Sequence, residues 1–258
     1  MRVSSLKESR IDQGSALLGL MILGIAAALP TDSPLWIHAV LIVLGVSSTC
    51  LSITLGAGHG APVALVATLL VLALGIRVLW QAAMLLALLA WWFASRSFPS
   101  LRASGWQILG GVPWLTTILC ALVTPIALVT WVRLMHPDLS DLLSQIPQVA
   151  WPVLLAGAVL FIFVNAIGEE LIWRGLFIDR LGSMFGPLTA IMIQGVSFGA
   201  QHAQGVPRGL VGMGMAGIWG IMLGWLRRSS GGMLAPIFAH LVADATVAAI
   251  VLVLAGRL

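Results

Sequence analysis

Long, unbroken apolar runs joined by short polar breaks leave this chain few ways to fold. They fall at about 15–29, 35–55, 61–94, 106–132, 150–181, 188–202, 209–226 and 233–255. Pro30, Pro34, Pro62, Pro99, Pro147, Pro187 and Pro207 punctuate the joins. Such lengths suit the ~20 residues that carry an α-helix across a ~30 Å hydrocarbon core. Only 9% of the 258 residues are charged and 60% are hydrophobic, too little charge to solvate a globule of this size. In lipid every backbone amide must be satisfied internally, which leaves helices or a closed barrel. The runs are continuous rather than alternating, so helices are expected. The fold class is therefore all-α: a polytopic transmembrane bundle of about 8–9 spans, multi-pass in a cell membrane.

The run at 61–94 carries the ambiguity in the count. As one helix it would reach ~51 Å, and Arg77 at its middle allows a hairpin of two short spans. With the N-terminus in the cytoplasm and the run counted twice, Arg96, Arg102, Arg174, Arg180, Arg227 and Arg228 join Arg2, Lys7 and Arg10 on the cytoplasmic side. That makes nine of the thirteen basic residues, so the positive-inside rule favours nine spans. The organisation expected is a cytoplasmic tail over 1–14, transmembrane helices over 15–149, and a catalytic transmembrane core over 150–256.

Composition also excludes some functions. The net charge of +4 comes from scattered arginines, and no basic stripe interleaved with aromatics points to nucleic acid. Cys50 and Cys120 lie inside apolar runs and read as buried small hydrophobes, not as a disulfide or a zinc pair. Glycines at 209, 212, 214, 217, 220 and 224 suit close helix packing.

Ionisable groups inside apolar runs are costly, about +2.5 to +3.5 kcal/mol each on insertion scales, and so usually have a purpose. They gather in the second half: Glu169, Glu170 and Arg174, then His202, then His240 and Asp244. At 1.5 Å per residue, Glu169 and His202 lie ~18 Å and ~24 Å from one membrane face and His240 ~12 Å, within about two helical turns of one depth. Glu170 and Arg174 are spaced i,i+4 with the acid first, as an ion pair prefers, which suggests a structural role for both. Glu169 points about 100° away, free to face another cavity. Asp244, one turn after His240, is placed to orient its imidazole, and Phe198, one turn before His202, to wall the site. His38, His59 and His136 are isolated and read as packing residues. A carboxylate and two imidazoles around enclosed water suit hydrolysis. The same set could hold a catalytic zinc, or serve a proton-coupled transporter or a scaffold that protects a partner.

These motifs resemble the CAAX prenyl endopeptidase and bacteriocin-processing (CPBP, or ABI) family, which includes the eukaryotic Ras-converting endopeptidase. The family pattern is Glu-Glu-x-x-x-Arg, Phe-x-x-x-His and His-x-x-x-Asn or Asp. Here Glu169, Glu170 and Arg174, then Phe198 and His202, then His240 and Asp244 supply it in order. The resemblance spans about 150 to 255 and implies an intramembrane endopeptidase acting on a membrane-associated peptide or protein, prenylated or leader-bearing. It implies that Glu169 and His202 activate water and that His240 with Asp244 stabilises the oxyanion. It also favours a glutamate-type mechanism without a metal cofactor. In the metalloprotease alternative, a divalent ion such as zinc would sit on Glu169, His202 and His240. Asp244 stands where Asn is commoner. An ionised Asp cannot donate to an oxyanion, so orientation of His240 is its expected role.

Overall fold

A computed structural model describes residues 2–30, 33–55, 58–75, 80–98, 101 and 107–257. Arg77, Pro99, Arg102 and Trp106 lie outside the described residues. Among the described residues the regular structure is helical and no strand occurs. The helices are α1 (Arg2–Ala28), α2 (Leu35–Thr54), α3 (Gly60–Gly75), α4 (Trp80–Ser97), α5 (Trp114–Met135), the short α6 (Ser140–Leu143) and α7 (Trp151–Glu169). A π-helix (Glu170–Phe177) follows, then α8 (Ile178–Phe185), α9 (Pro187–Gln201), α10 (Gly209–Ser230) and α11 (Leu234–Leu254). Six described helical stretches are long and apolar enough to cross a membrane, and Gly60–Gly75 is a shorter apolar helix. Large apolar side chains such as Leu115, Leu122 and Ile126 on α5 point outward, a surface that suits lipid and would aggregate in water. The chain is a multi-pass membrane protein.

The ambiguous run at 61–94 divides into two helices, α3 and α4. Apolar all round, α3 packs at the centre of the N-terminal half, as such a helix must. Ala61, Val63, Val66, Ala67, Leu70 and Val71 are all fully buried, and α1, α2 and α4 surround it. Its first turn is capped from α1, where Asp12 Oδ1 accepts the backbone N–H groups of His59 (3.1 Å) and Gly60 (2.8 Å).

The joins gather at two ends of the bundle. At one end Gln13 donates to the Met184 carbonyl, Arg180 donates to that of Gly58, and Arg227 faces Asp179 at 3.7 Å. At the other end Arg208 pairs with Asp141, and Arg257 donates to Gln148 and to the Val149 carbonyl. Successive long helices therefore alternate in direction.

Three expectations change. Arg174 is fully buried inside the bundle, so it is not a loop charge and leaves the positive-inside count. Cys50 is exposed on α2, while Cys120 is buried and both thiols are free. Helix α1 begins at Arg2, so helical backbone runs through most of the expected N-terminal tail. On α10, Gly220 and Gly224 do serve packing against α9, whereas Gly209 and Gly214 face open space. A Cβ on Gly220 would lie 3.1 Å from Gly195 Cα and 3.2 Å from the Phe198 side chain, so α9 and α10 approach closely only because those side chains are missing.

Candidate active site

Three helical stretches of the C-terminal half build the centre. Glu169 closes α7 and Glu170 opens the π-helix. His202 caps the C-terminus of α9. His240 and Asp244 lie one turn apart on α11. The π-helix was not legible in the sequence. Its i→i+5 bonding widens the helix locally, a device frequent at functional sites, and here it spans the Glu–Arg motif.

His240 is the hub. Its Nδ1 lies 2.7 Å from Glu170 Oε1. Its Nε2 lies 3.5 Å from Glu169 Oε2 and 3.7 Å from Asp244 Oδ1. An imidazole offers nitrogens on two edges, so two carboxylates about 100° apart on their own helix can still border one ring. That refines the expectation that Glu169 and Glu170 face different surroundings. Glu169 lines the large cavity described below and Glu170 does not, yet both reach His240. It also moves the short orienting contact from Asp244 to Glu170. A carboxylate can only accept, so with Glu170 ionised His240 Nδ1 carries the proton.

Glu170 serves Arg174 as well. Arg174 Nη1 lies 2.7 Å from Glu170 Oε1, with both side chains at 0% exposure. The guanidinium sits 4.3 Å from the Phe198 ring centroid, within cation–π range. Phe198 therefore does more than wall the site: its ring also meets those of His202 (4.8 Å), Trp173 (5.6 Å) and His240 (6.0 Å). The carbonyl of Gly220 accepts from Gln194 at 2.8 Å and faces Arg174 Nη2 at 3.4 Å.

His202 Nδ1 lies 2.9 Å from the Phe198 carbonyl. A carbonyl can only accept, so Nδ1 carries the proton and Nε2 of the neutral ring holds the lone pair. Glu169, His202 and Asp244 line one cavity of about 770 Å³. Its polar end also includes Trp80, Gln81 and Asn165, and its apolar arm runs past Phe161, Gly157 and Val153 to Ile146 and Val149. Ala27, Leu74, Leu142, Val251 and Leu252 also contribute, so the cavity occupies the end of the bundle away from Gln13 and Met184. A second cavity, about 250 Å³, lies between α5, α10 and α11 and shares His202, Val206, Asp244 and Val247 with the first.

Among the described residues, no group of three or more His, Cys, Asp or Glu side chains is arranged to hold a metal ion.

Trp80, Gln81 and Asn165 were missed in the sequence. Asn165 gives a faint signal, being an amide one turn before Glu169 in an otherwise apolar run. Trp80 and Gln81 give none, since both lie beside Arg77 and read as part of a polar break.

Fold and centre together define an integral membrane helical bundle that encloses a carboxylate–imidazole cluster. Within that class, residues 150–246 match the family model described as type II CAAX prenyl endopeptidase Rce1-like. The match bears out the resemblance carried by the motifs and covers every motif residue from Glu169 to Asp244. It points to an intramembrane CAAX-type protease with a membrane-associated peptide substrate. No curated protein and no solved structure matches the chain.

Proposed function

We propose that the chain is an intramembrane endopeptidase of the glutamate type, with water activated by Glu169 and His202. The observation that carries this reading is the meeting of Glu169 with His240 at 3.5 Å, beside a cavity that Glu169 shares with His202. A carboxylate oxygen without a hydrogen-bond partner, Glu169 Oε2, is available to accept a proton from bound water.

The step runs as follows. Glu169 takes a proton from water while the water oxygen bonds to the scissile carbonyl carbon, aided by the His202 Nε2 lone pair. The carbonyl π pair moves onto oxygen. His240, its Nδ1 proton held by Glu170, stabilises that oxyanion through Nε2–H as an imidazolium, an electrostatic role suited to a dry site. Collapse re-forms the carbonyl and breaks the C–N bond, and the leaving amine receives the proton from Glu169. Glu170 and Arg174 fix the hub, and Asp244 flanks Nε2. No step of this route needs a metal ion, so chelators should leave the rate unchanged.

The long apolar arm suits a substrate that carries a hydrophobic anchor, prenylated or leader-bearing. Nine membrane crossings are the count we favour, because α3, α4 and α9 continue the alternating path of the six long stretches.

The test uses the full chain in lipid nanodiscs and an internally quenched peptide bearing S-farnesyl cysteine three residues from its end, beside its unprenylated twin. Glu169→Gln should lower cleavage about 10²–10⁴-fold, the range of a general base, with insertion and folding retained. Full activity in that variant removes Glu169 from the mechanism. Proton-driven flux with no cleavage of either peptide would point instead to a transporter.

A further inference from the structure

Two adjacent residues at the start of α4 reach the centre from outside the matched segment. Trp80 Nε1 donates to Glu169 Oε1 at 2.9 Å. Gln81 Nε2 donates to Asn165 Oδ1 at 3.1 Å, and Asn165 Nδ2 donates to Asp244 Oδ2 at 3.1 Å. We propose that Trp80 and Gln81 are positioning residues for the hydrolytic centre, the indole fixing the Glu169 carboxylate and the amide relay through Asn165 fixing that of Asp244. The inference rests on the reading of Glu169 as the base.

The terminal torsion of a glutamate is broad, so a carboxylate in a cavity of this size needs a restraint. With Oε1 bonded to Trp80, Oε2 is the oxygen left without a hydrogen-bond partner and turned toward His240. An indole N–H only donates. Trp80 can hold Glu169 without exchanging a proton with it. The indole is itself held, its ring 6.3 Å from that of the fully buried Trp173.

The relay has a fixed polarity. Asp244 when ionised only accepts, so Asn165 must turn its NH₂ group toward it. The Asn165 oxygen then faces α4 and needs a donor, which the Gln81 NH₂ group supplies. Asn165 thereby brings to the centre an amide of the kind that Asp244 lacks. A purely apolar residue at 81 would leave the Asn165 oxygen unpaired and free the amide to rotate.

The experiment uses the full chain in lipid nanodiscs with the quenched farnesylated peptide as probe. Trp80→Phe keeps an aromatic ring and deletes the donor. Gln81→Met keeps length and deletes the relay. Trp80→Phe should lower kcat about 10-fold or more, as loss of a hydrogen bond to a charged group implies, and Gln81→Met, which removes a bond between neutral amides, about 2- to 10-fold, with KM changed less than about twofold in each. A loss confined to KM or to folded yield in both variants means a packing role only and overturns the proposal. A second readout needs no cleavage. In protein labelled with ¹⁵N at its indoles, the Trp80 resonance, assigned by its loss in Trp80→Phe, should move when Glu169→Ala removes the acceptor. That of Trp225, exposed on α10, should stay in place. An unmoved Trp80 resonance overturns the proposal. A moved resonance in a protein that cleaves nothing upholds the contact and locates the failure in the hydrolytic reading.

Discussion

The two halves of the bundle bury different material. Around α3 the N-terminal half encloses alanine, valine and leucine at 0% exposure, the close-packed apolar interior that stabilises a protein. The C-terminal half encloses Glu169, Glu170, Arg174, His240 and Asp244, each no more than 6% exposed. Buried ions lose hydration, and their mutual attraction often does no more than offset that loss. The first half is therefore arranged for stability, and the second accepts the cost of burying charge. The boundary is crossed at α4, where the apolar half lends Trp80 and Gln81 to the charged one.

Arg174 tests the contrast most severely. Arg174→Ala leaves Glu170 buried without its guanidinium, which should destabilise the folded state by about 3–5 kcal/mol. Cleavage should disappear with it, since Glu170 then loses the partner that fixes it against His240. The double variant Glu170→Met with Arg174→Met should recover most of the stability, because replacing both members of a buried pair by apolar groups is often neutral, yet remain inactive. Denaturant unfolding in micelles and peptide cleavage read the two effects separately. Activity in the double variant would show that the pair is structural alone.

Leu70, fully buried on α3, is the counterpart. Leu70→Ala should cost about 2–5 kcal/mol through lost contacts and a cavity. Cleavage per folded molecule should stay close to wild type, because Leu70 lies in the apolar core around α3 and lines neither cavity. A fall in kcat measured on the folded fraction would mean that the apolar half tunes the chemistry beyond the two side chains of α4.

The sequence exposes these halves unequally, and the reason is energetic. Glu169, Glu170, Arg174, His202, His240 and Asp244 stand out because a charge or imidazole in an apolar run is expensive, and their spacing along three helices fixes a common depth. Helical class follows from run length alone. What stayed hidden depends on azimuth and on distant pairing. The π-helix has no local signature and decides how Glu169 and Glu170 share His240. Glu170 took the short contact expected of Asp244 because an i,i+4 pair shares a face without being brought into contact. Trp80 and Gln81 lie eighty-odd residues from their partners, and nothing in a polar break foretells which helix it will meet.

The smallest expected effect lies at the far end of the cavity, where the join before α7 meets the join before α10. Arg208 holds Asp141 with bonds of 2.7 and 2.9 Å and also donates to the Asp138 carbonyl at 2.8 Å. The Arg208 guanidinium holds the Asp141 carboxyl below the usual aspartate range. A group depressed on folding adds stability above its unfolded value, near pH 4, and loses it as pH falls through the lower folded value. Since Asp141 is 51% exposed, solvent and salt screen the pair, and its worth is below about 1 kcal/mol. Asp141→Asn should therefore lower the unfolding midpoint slightly at pH 7 and low salt, with the gap shrinking in high salt and closing in acid as the Asp141 carboxyl takes up its proton. A gap that persisted in acid would mean that the contact acts through shape, leaving charge to matter only in the buried cluster around His240.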